Sequence, residues 1–295
     1  MDKTLGDKIP EFNRKQKAGG GVGLAGASMG LGGHRSKLEV LVIVLVAVVI
    51  IGGAELWLYA FNVPQYVLPR PSLIVKALFT EWTLIWPHLL ITIYELLVGF
   101  AIGGSIGFIL AAVITQFPFV EKIVTPYILL LVTTPMLALV PLLILRFGFG
   151  SEPRIIAVAL ASGPMVMINS ATGFRRVDLA KIALARSFGA STLQIFTKIR
   201  IHMAMPMIIV GLMVGSIFGL LTTIGAEMVG GAEGLGNRLT YYSALIRMPQ
   251  FFAIILILAA LVVWAFVKIR AVVRSLDPQY RAPTPTAPAA APSKP

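Results

Sequence analysis

The sequence predicts an all-α membrane protein with six transmembrane helices, and two observations support this class. First, 57% of the 295 residues are hydrophobic and only 13% are charged, whereas a soluble domain carries about 25% charged residues. Second, continuous apolar stretches long enough to cross a bilayer as helices recur along the chain. A large soluble helical bundle would need polar faces that repeat with the helical period, and these stretches lack them.

Six segments define the predicted transmembrane helices. They are residues 38–61, 87–114, 123–146, 155–174, 205–227 and 250–268. An even number of crossings places both termini on one side. With the termini inside, 19 of the 25 Lys and Arg residues lie in cytoplasmic segments and six, Arg154 among them, in outer loops. The positive-inside rule therefore predicts cytoplasmic N- and C-termini, and the net charge of +12 needs no nucleic-acid partner.

The two ends of the chain are predicted to be cytoplasmic tails. Residues 1–37 are polar with a Gly-rich stretch, which predicts disorder, and residues 271–295 form a Pro/Ala-rich tail. The chain has no Cys and three scattered His residues. We therefore expect neither a metal site nor a cofactor bound by this chain itself.

Two of the predicted helices carry glycines at every fourth position. The six residues are Gly99, Gly103, Gly107, Gly211, Gly215 and Gly219. Such stripes let helix backbones approach closely in a membrane. Glycine is also common in membrane helices generally, and the pattern leaves open whether the contact lies within the chain or at a subunit interface. Pro135, Pro141 and Pro164 lie inside the third and fourth predicted helices and are expected to kink them.

A basic segment between the fourth and fifth predicted helices has the pattern of two short helices joined by a glycine. Asp178 is a favourable N-cap for a helix over residues 179–188. Gly189 suits the left-handed conformation that ends a helix. Ser191 and Gln194 form an S-x-x-Q capping box that opens a second helix. On these residues alone, an ordinary loop at the lipid head groups is an equally good interpretation.

The segment "ALARSFGASTLQIFTKIRIHMAMP" resembles the EAA loop of inner-membrane permeases of binding-protein-dependent ABC importers. Ala185, Gly189 and Ile199 match the family's second Ala, its Gly and its Ile, whereas Ala183 and His202 stand where the family has Glu and Pro. Four further segments resemble permeases of the nitrate, sulfonate and taurine branch, in the same order. They are "LPRPSLIVKAL", "WPHLLITIYELLVGF", "PMLALVPLLILRFGFG" and "IGAEMVGGAEGLG".

The resemblance implies a type I ABC importer permease fold for residues 87–270, in a bacterial inner membrane. It further implies a solute pathway, a second permease copy forming a homodimer, an extracytoplasmic solute-binding protein, and a separate ATPase that binds ATP and Mg. Residues 175–203 would then be the cytoplasmic loop that couples to this ATPase. The implied contacts are Ala183, Ala185, Arg186, Ser187, Phe188, Gly189, Ala190, Ser191 and Ile199. The chain itself lacks a G-x-x-x-x-G-K-[ST] motif and is not expected to be an enzyme.

Polar residues within the apolar helices, and one proline beside them, are candidates for the solute pathway. They are Glu95, Thr133, Thr134, Pro135, Thr222 and Glu227. An ionisable group at this depth faces a bundle interior or a water-filled cavity by default. No basic residue is expected at the depth of Glu95, so a neutral carboxyl with a packing or gating role is favoured there. For the threonines, a hydrogen bond to their own helix turn is the more common role.

The main alternative function is an ATP-independent secondary transporter or a channel. Such folds often contain internal repeats with broken helices at paired positions, and no such repeat relates residues 38–174 to residues 175–268. A membrane-embedded enzyme would need clustered ionisable groups at depth, whereas the carboxylates here are isolated. The segment "MVGGAEGLGNR" fits a re-entrant gate, a contact with a binding protein, or a flexible loop.

Overall fold

The computed structural model describes residues 37–276, with side chains for residues 41–272. The chain divides into two compact units. The first comprises residues 1–48 and 282–295, of which only residues 37–48 are described, as the start of a helix; the side chains of residues 41–48 are exposed. The second comprises residues 49–281. The predicted tails therefore lie outside the described residues, except for Lys37 and residues 271–276, which are helical.

Residues 37–276 form helices joined by short connections. The helices are α1 (Lys37–Ala60), α2 (Pro71–Thr80), α3 (Trp82–Gln116), α4 (Pro118–Thr133), α5 (Met136–Phe147), α6 (Glu152–Arg175), α7 (Leu179–Ser187), α8 (Thr192–Ile195), α9 (Ile201–Gly230), α10 (Leu235–Ala244) and α11 (Met248–Leu276). A π-helical turn at Phe196–Arg200 joins α8 to α9 without a break. The short helices α2 and α10 were not predicted from the sequence.

Five segments of the described chain are candidate membrane spans, and a bent pair of helices is a sixth candidate. Each of the five is long and apolar enough to cross a membrane; they are α1, α3, α6, α11 and the continuous run from α8 through α9. Helices α4 and α5 pass the same criterion together, but they meet at an angle of 96°. The helix predicted at 123–146 is thus broken at Pro135, which holds the preceding Thr134 in an extended conformation (φ −76°, ψ 127°). Pro141 and Pro164 lie inside continuous helices.

Helix α6 lies between α3 and α9, and both glycine stripes pack against it. A methyl carbon on Gly103 of α3 would lie 2.7 Å from the Cα of Ala159 in α6. One on Gly211 of α9 would lie 2.9 Å from the Cβ of Asn169 in α6. Helix backbones therefore approach closely on two faces of α6. The glycine stripes therefore lie in close contacts within the chain.

Candidate functional site

The helix starts in the 175–203 loop follow the predicted capping pattern. The carboxylate of Asp178 accepts a hydrogen bond from the Ala180 amide at 2.9 Å and so caps α7. At the start of α8, the Ser191 amide donates to Oε1 of Gln194 at 2.8 Å, and the Gln194 amide donates to Oγ of Ser191 at 3.3 Å. This reciprocal pair is the predicted capping box.

Gly189 ends α7 in the left-handed conformation, with φ of 78°. The Gly189 amide donates to the carbonyl of Arg186 at 2.9 Å, and the Ala190 amide donates to the carbonyl of Ala185 at 3.0 Å. These two bonds form a Schellman motif, which satisfies carbonyls at the end of the helix. A Cβ atom on Gly189 would have open space around it, so the constraint at this position is the backbone conformation and not crowding.

The loop has a small apolar core of its own. Its buried members are Val177, Ile182 and Ile195, and the partly buried ones are Ala185, Ala190 and Ile199. The last three were implied by resemblance as ATPase contacts, yet their side chains pack against the loop interior. Their contribution is therefore to the shape of the loop. The small size of Ala185 fits this interior position.

The outer surface of the loop carries large apolar side chains. Their exposed fractions are 77% for Leu179, 59% for Leu184, 82% for Phe188 and 73% for Leu193. Sequence reasoning identified Phe188 and missed the three leucines, although each stands between small or polar residues that cannot cover it. The other exposed members of the implied contact set are Ala183, Arg186, Ser187, Gly189 and Ser191. Exposed apolar clusters of this kind mark protein or membrane contacts.

The loop is firmly attached to the two central helices. The π-helical turn at Phe196–Arg200 continues directly into α9. The ring of Phe196 lies 5.1 Å from that of Phe174, which is 2% exposed near the end of α6. The loop is therefore continuous with α9 and in direct contact with the end of α6.

Four of the predicted pathway residues meet in one cavity at the break between α4 and α5. The cavity has a volume of about 340 Å³ and is lined by Thr133, Thr134, Pro135 and Thr222 together with apolar residues of α5, α6 and α9. Non-helical backbone at membrane depth is tolerated where it lines a cavity or is covered by protein. The hydroxyls of Thr133 and Thr134 donate to carbonyls of α4, as expected from their more common role.

The remaining two candidates, Glu95 and Glu227, lie elsewhere, in a buried polar network. Nη1 of Arg154 lies 2.8 Å from Oε1 of Glu95, with the two side chains 4% and 0% exposed. The expectation that no basic residue reaches the depth of Glu95 is therefore wrong. Helix α6 begins three residues earlier than predicted, so Arg154 stands in its first turn and not in an outer loop. The guanidinium also donates to the carbonyls of Gly150 and Glu233, both at 3.3 Å.

Glu227 anchors the start of α10. Its Oε2 accepts from the Gly236 amide and its Oε1 from Oγ1 of Thr92, both at 2.7 Å. The Gly234 amide donates to Nδ1 of His88 at 3.0 Å. An acceptor oxygen at this position satisfies one of the first amides of α10, which have no partner within the helix. The Gly-rich segment after α9 is thus an ordered turn held by α3 and α9, and its glycines leave room for the carboxylate of Glu227.

Comparison with known proteins shows the family to which this chain belongs. A family model described as "Binding-protein-dependent transport system inner membrane component" matches residues 103–281. Three similar proteins are named as permeases. SsuC of Escherichia coli K12, named for aliphatic sulfonates, is 33% identical over 63% of this chain and 73% of its own. TauC of the same strain, named for taurine, is 27% identical over 72% and 80%. RibX of Chloroflexus aurantiacus, named for riboflavin, is 25% identical over 69% and 77%.

Two solved structures share the fold. A chain of the MetNI methionine ABC transporter, in an inward-facing conformation, superposes with a TM-score of 0.53 at 19% identity, covering 71% of this chain and 99% of that one. A chain of an amino acid ABC transporter gives a TM-score of 0.53 over 68% and 96%. The type I importer permease fold and the sulfonate and taurine branch are thus confirmed. The relatives imply a solute-binding protein and an ATPase as partners. The chain belongs to the inner membrane components of binding-protein-dependent transport systems, as a multi-pass permease subunit of a bacterial ABC importer.

Proposed function

We propose that the 175–203 loop is the cytoplasmic contact through which a separate ATPase drives solute transport by this permease. The observation that carries the proposal is the exposed apolar surface of Leu184 and Phe188 at the end of α7. The remainder of the loop runs through α8 and the π-helical turn directly into α9. With Ala183 where the family has Glu, apolar burial supplies most of the contact energy. Burying one such side chain stabilises a contact by about 1.5–3 kcal/mol.

Rigidity of the loop supports a docking role. The Asp178 cap, the Gly189 turn and the capping box at Ser191 fix the backbone before any partner binds. A surface that is already ordered loses less conformational entropy on association. The proposed contacts are therefore the exposed residues of the implied set and the three neighbouring leucines. Ala185, Ala190 and Ile199 support them from within.

The path from the loop to the solute runs along α9. Helix α9 begins directly after the loop and contributes Phe218 and Thr222 to the cavity at the α4–α5 break. In the proposed mechanism, ATP binding and hydrolysis on the partner move the loop, and α9 carries the movement to the cavity. Two copies of the chain enclose the pathway as a homodimer, with both termini cytoplasmic. A solute-binding protein docks at the opposite end, near α10, and this chain hydrolyses no ATP itself.

Co-purification tests the proposed ATPase contact. Gly189→Val forces a β-branched residue into positive φ, and we expect it to abolish recovery of the ATPase with the tagged permease from native membranes. Gly148→Val is the matched control, because Gly148 also has positive φ (85°) and open space but lies at the other end of α6. Recovery of the ATPase with Gly189→Val, or equal loss with Gly148→Val, would refute the proposed contact.

The alternative of a secondary transporter or a channel makes an opposite prediction. Under that alternative, the permease reconstituted alone would transport solute down its gradient without an ATPase. Under the proposed function, proteoliposomes transport solute only when the ATPase, ATP and the solute-binding protein are all present. Uptake by the permease alone would therefore favour the alternative.

A further inference from the structure

The turn between α10 and α11 contains a β-branched residue in the left-handed conformation. Among the described residues, two that are not glycine have positive φ, Asn62 (48°) and Ile246 (57°). Asparagine adopts this conformation readily, whereas in isoleucine the branched Cβ is crowded against the following carbonyl oxygen. Backbone strain of this kind persists only where the surroundings impose it, and it is concentrated at functional sites.

The strained turn has the same hydrogen bonds as the Gly189 turn. The Ile246 amide donates to the carbonyl of Ser243 at 3.1 Å, and the Arg247 amide donates to the carbonyl of Tyr242 at 2.9 Å. In this Schellman motif the first position favours glycine, and the next favours an apolar residue that packs back on the helix. Ile246, which is 60% exposed, and the exposed Arg247 occupy these two positions. The turn therefore holds an apolar and a cationic side chain outward, although this lowers its own stability.

A rigid base supports the turn. Leu235, Leu239 and Tyr242 of α10 belong to a cluster of buried residues that includes Ile85 of α3 and Ile254 of α11. The carboxylate of Glu227 fixes the other end of α10. The outward side chains are thus positioned before any partner binds, which reduces the conformational entropy lost on association.

The turn and the 175–203 loop lie at opposite ends of α9. This helix has 30 residues and is therefore about 45 Å long at 1.5 Å per residue, more than the thickness of the hydrocarbon core, about 30 Å. With the loop cytoplasmic, as proposed, the turn lies on the outer face.

The exposed surface at this end of α10 is mixed in character. Tyr241 and Leu245 are exposed beside Ile246, and the polar residues Thr240 and Ser243 are exposed next to them. An apolar patch with a polar rim is typical of a protein contact. A surface that faces lipid chains would be apolar throughout.

The charged groups around Tyr242 are mainly basic. The charges of Arg238, Arg247 and Glu81 all act on its hydroxyl, which donates to Oε2 of Glu81 at 3.3 Å. The guanidinium of Arg238 also lies 5.4 Å from the centre of the Tyr241 ring. Lys and Arg are scarce in outer segments, yet two of the six predicted there lie in α10 and its turn. A partner with carboxylates complements this surface.

We propose that the turn at Ile246 is the docking anchor for the solute-binding protein, with Ile246 in an apolar pocket of that protein and Arg247 on a carboxylate beside the pocket. This inference rests on the proposed function, in which a solute-binding protein docks near α10. The contact with the partner, and not the fold of the permease, then explains an isoleucine at a position that favours glycine. Glycine would relieve the strain and remove the anchor.

Crosslinking identifies the molecule that covers the turn. The chain has no cysteine, so Leu245→Cys places a single thiol beside Ile246. With a short thiol-reactive photocrosslinker in native membranes, we expect an adduct that mass spectrometry identifies as a solute-binding protein. Adducts with lipid alone, adducts with a second copy of the permease alone, or no adduct would overturn the docking anchor.

Affinity and stability together test the role of Ile246. The solute-binding protein identified by crosslinking is titrated against the permease–ATPase complex in lipid nanodiscs. Ile246→Gly should weaken its binding at least about tenfold, the effect of losing one buried apolar side chain. The same variant should unfold at the wild-type temperature or higher, since glycine adopts positive φ without strain.

Asn62→Gly is the matched control, because Asn62 is also exposed and has positive φ but lies in the connection between α1 and α2. It should leave the affinity unchanged. Unchanged affinity in Ile246→Gly, or an equal loss in Asn62→Gly, would refute the anchor. A lower unfolding temperature in Ile246→Gly would show that the side chain stabilises the permease itself, which would also refute it.

Salt dependence tests the charged part of the contact. Raising the ionic strength should weaken docking of the wild-type complex, because salt screens the attraction between Arg247 and a carboxylate. The effect of salt should be smaller in Arg247→Ala, and Arg247→Glu should weaken docking further than Arg247→Ala does. Equal salt dependence in the wild type and Arg247→Ala would contradict a carboxylate partner.

The same preparations separate this inference from the proposed function. Recovery of the ATPase is measured in every sample. A wild-type permease that recovers no ATPase, or that binds no solute-binding protein, contradicts the proposed function. A complex that recovers the ATPase and binds the solute-binding protein equally well with Ile246→Gly contradicts only the anchor.

Discussion

Replacing Glu95 by Leu should destabilise the permease by about 3–5 kcal/mol. The variant keeps the Arg154 side chain, which is 4% exposed, and removes the carboxylate oxygen that lies 2.8 Å from its Nη1. The two carbonyls that remain as acceptors, at 3.3 Å, solvate the guanidinium only in part and do not neutralise it. An uncompensated charge in the interior accounts for the size of the effect.

The double variant isolates the ion pair. With Arg154→Leu added to Glu95→Leu, no buried charge is left unpaired, and only the two carbonyl contacts are lost. We expect the double variant to be more stable than Glu95→Leu alone by at least about 1 kcal/mol. Unfolding in SDS–detergent mixed micelles, followed by tryptophan fluorescence, measures each free energy. Additive effects of the two single changes would refute the reasoning.

An exposed ion pair in the same chain provides the control. Nη2 of Arg175 lies 2.7 Å from Oε1 of Glu121, but the two side chains are 50% and 38% exposed. Because solvent screens such a pair, Glu121→Leu should cost no more than about 1 kcal/mol. The two carboxylates thus make contacts of nearly equal length and differ in burial. Equal costs for Glu95→Leu and Glu121→Leu would show that burial does not determine the effect.

Two further predictions concern helix packing and the start of α10. Gly103→Ala should destabilise the fold by about 1–3 kcal/mol, since its new methyl meets the backbone of α6. Gly104→Ala is the control and should not destabilise the fold, because no heavy atom lies closer than 3.9 Å to its new methyl. The same unfolding assay measures both variants. Glu227→Ala should speed amide exchange in α10 about fivefold, the effect of losing one helix cap, while Glu233→Ala, which removes an exposed side chain, should leave exchange unchanged.

The local structure of the loop could be predicted from the sequence, because every signal lies within a few residues. Asp178 and Ser191 cap the helices that follow them, and Gly189 takes the positive φ expected of it. Each of these contacts spans two or three positions. The loop core could not be predicted, because the side of a short helix that faces inward depends on which later segment of the chain packs against it. The inward placement of Ala185 is an example.

The polar network and the cavity depend on contacts between distant residues. Glu95 and Arg154 are far apart in the chain, and no local pattern links a residue in α3 to the first turn of α6. The sequence indicated that Pro135, Pro141 and Pro164 disturb the third and fourth predicted transmembrane helices, but of these three only Pro135 coincides with a break. Pro141 and Pro164 are accommodated within continuous helices. Whether a proline kinks or breaks a membrane helix is decided by the neighbouring helices that cover it.

Site-specific crosslinking tests the proposed coupling contact most directly. The chain has no cysteine, so Phe188→Cys introduces a single thiol on the exposed surface of the loop. Phe149→Cys is the control, because Phe149 is 75% exposed and lies near the start of α6, away from the loop. A short thiol-reactive photocrosslinker in native membranes should join residue 188, and not residue 149, to an ABC ATPase identified by mass spectrometry. An ATPase adduct formed at residue 149, or none at residue 188, would contradict the proposed coupling role of the loop.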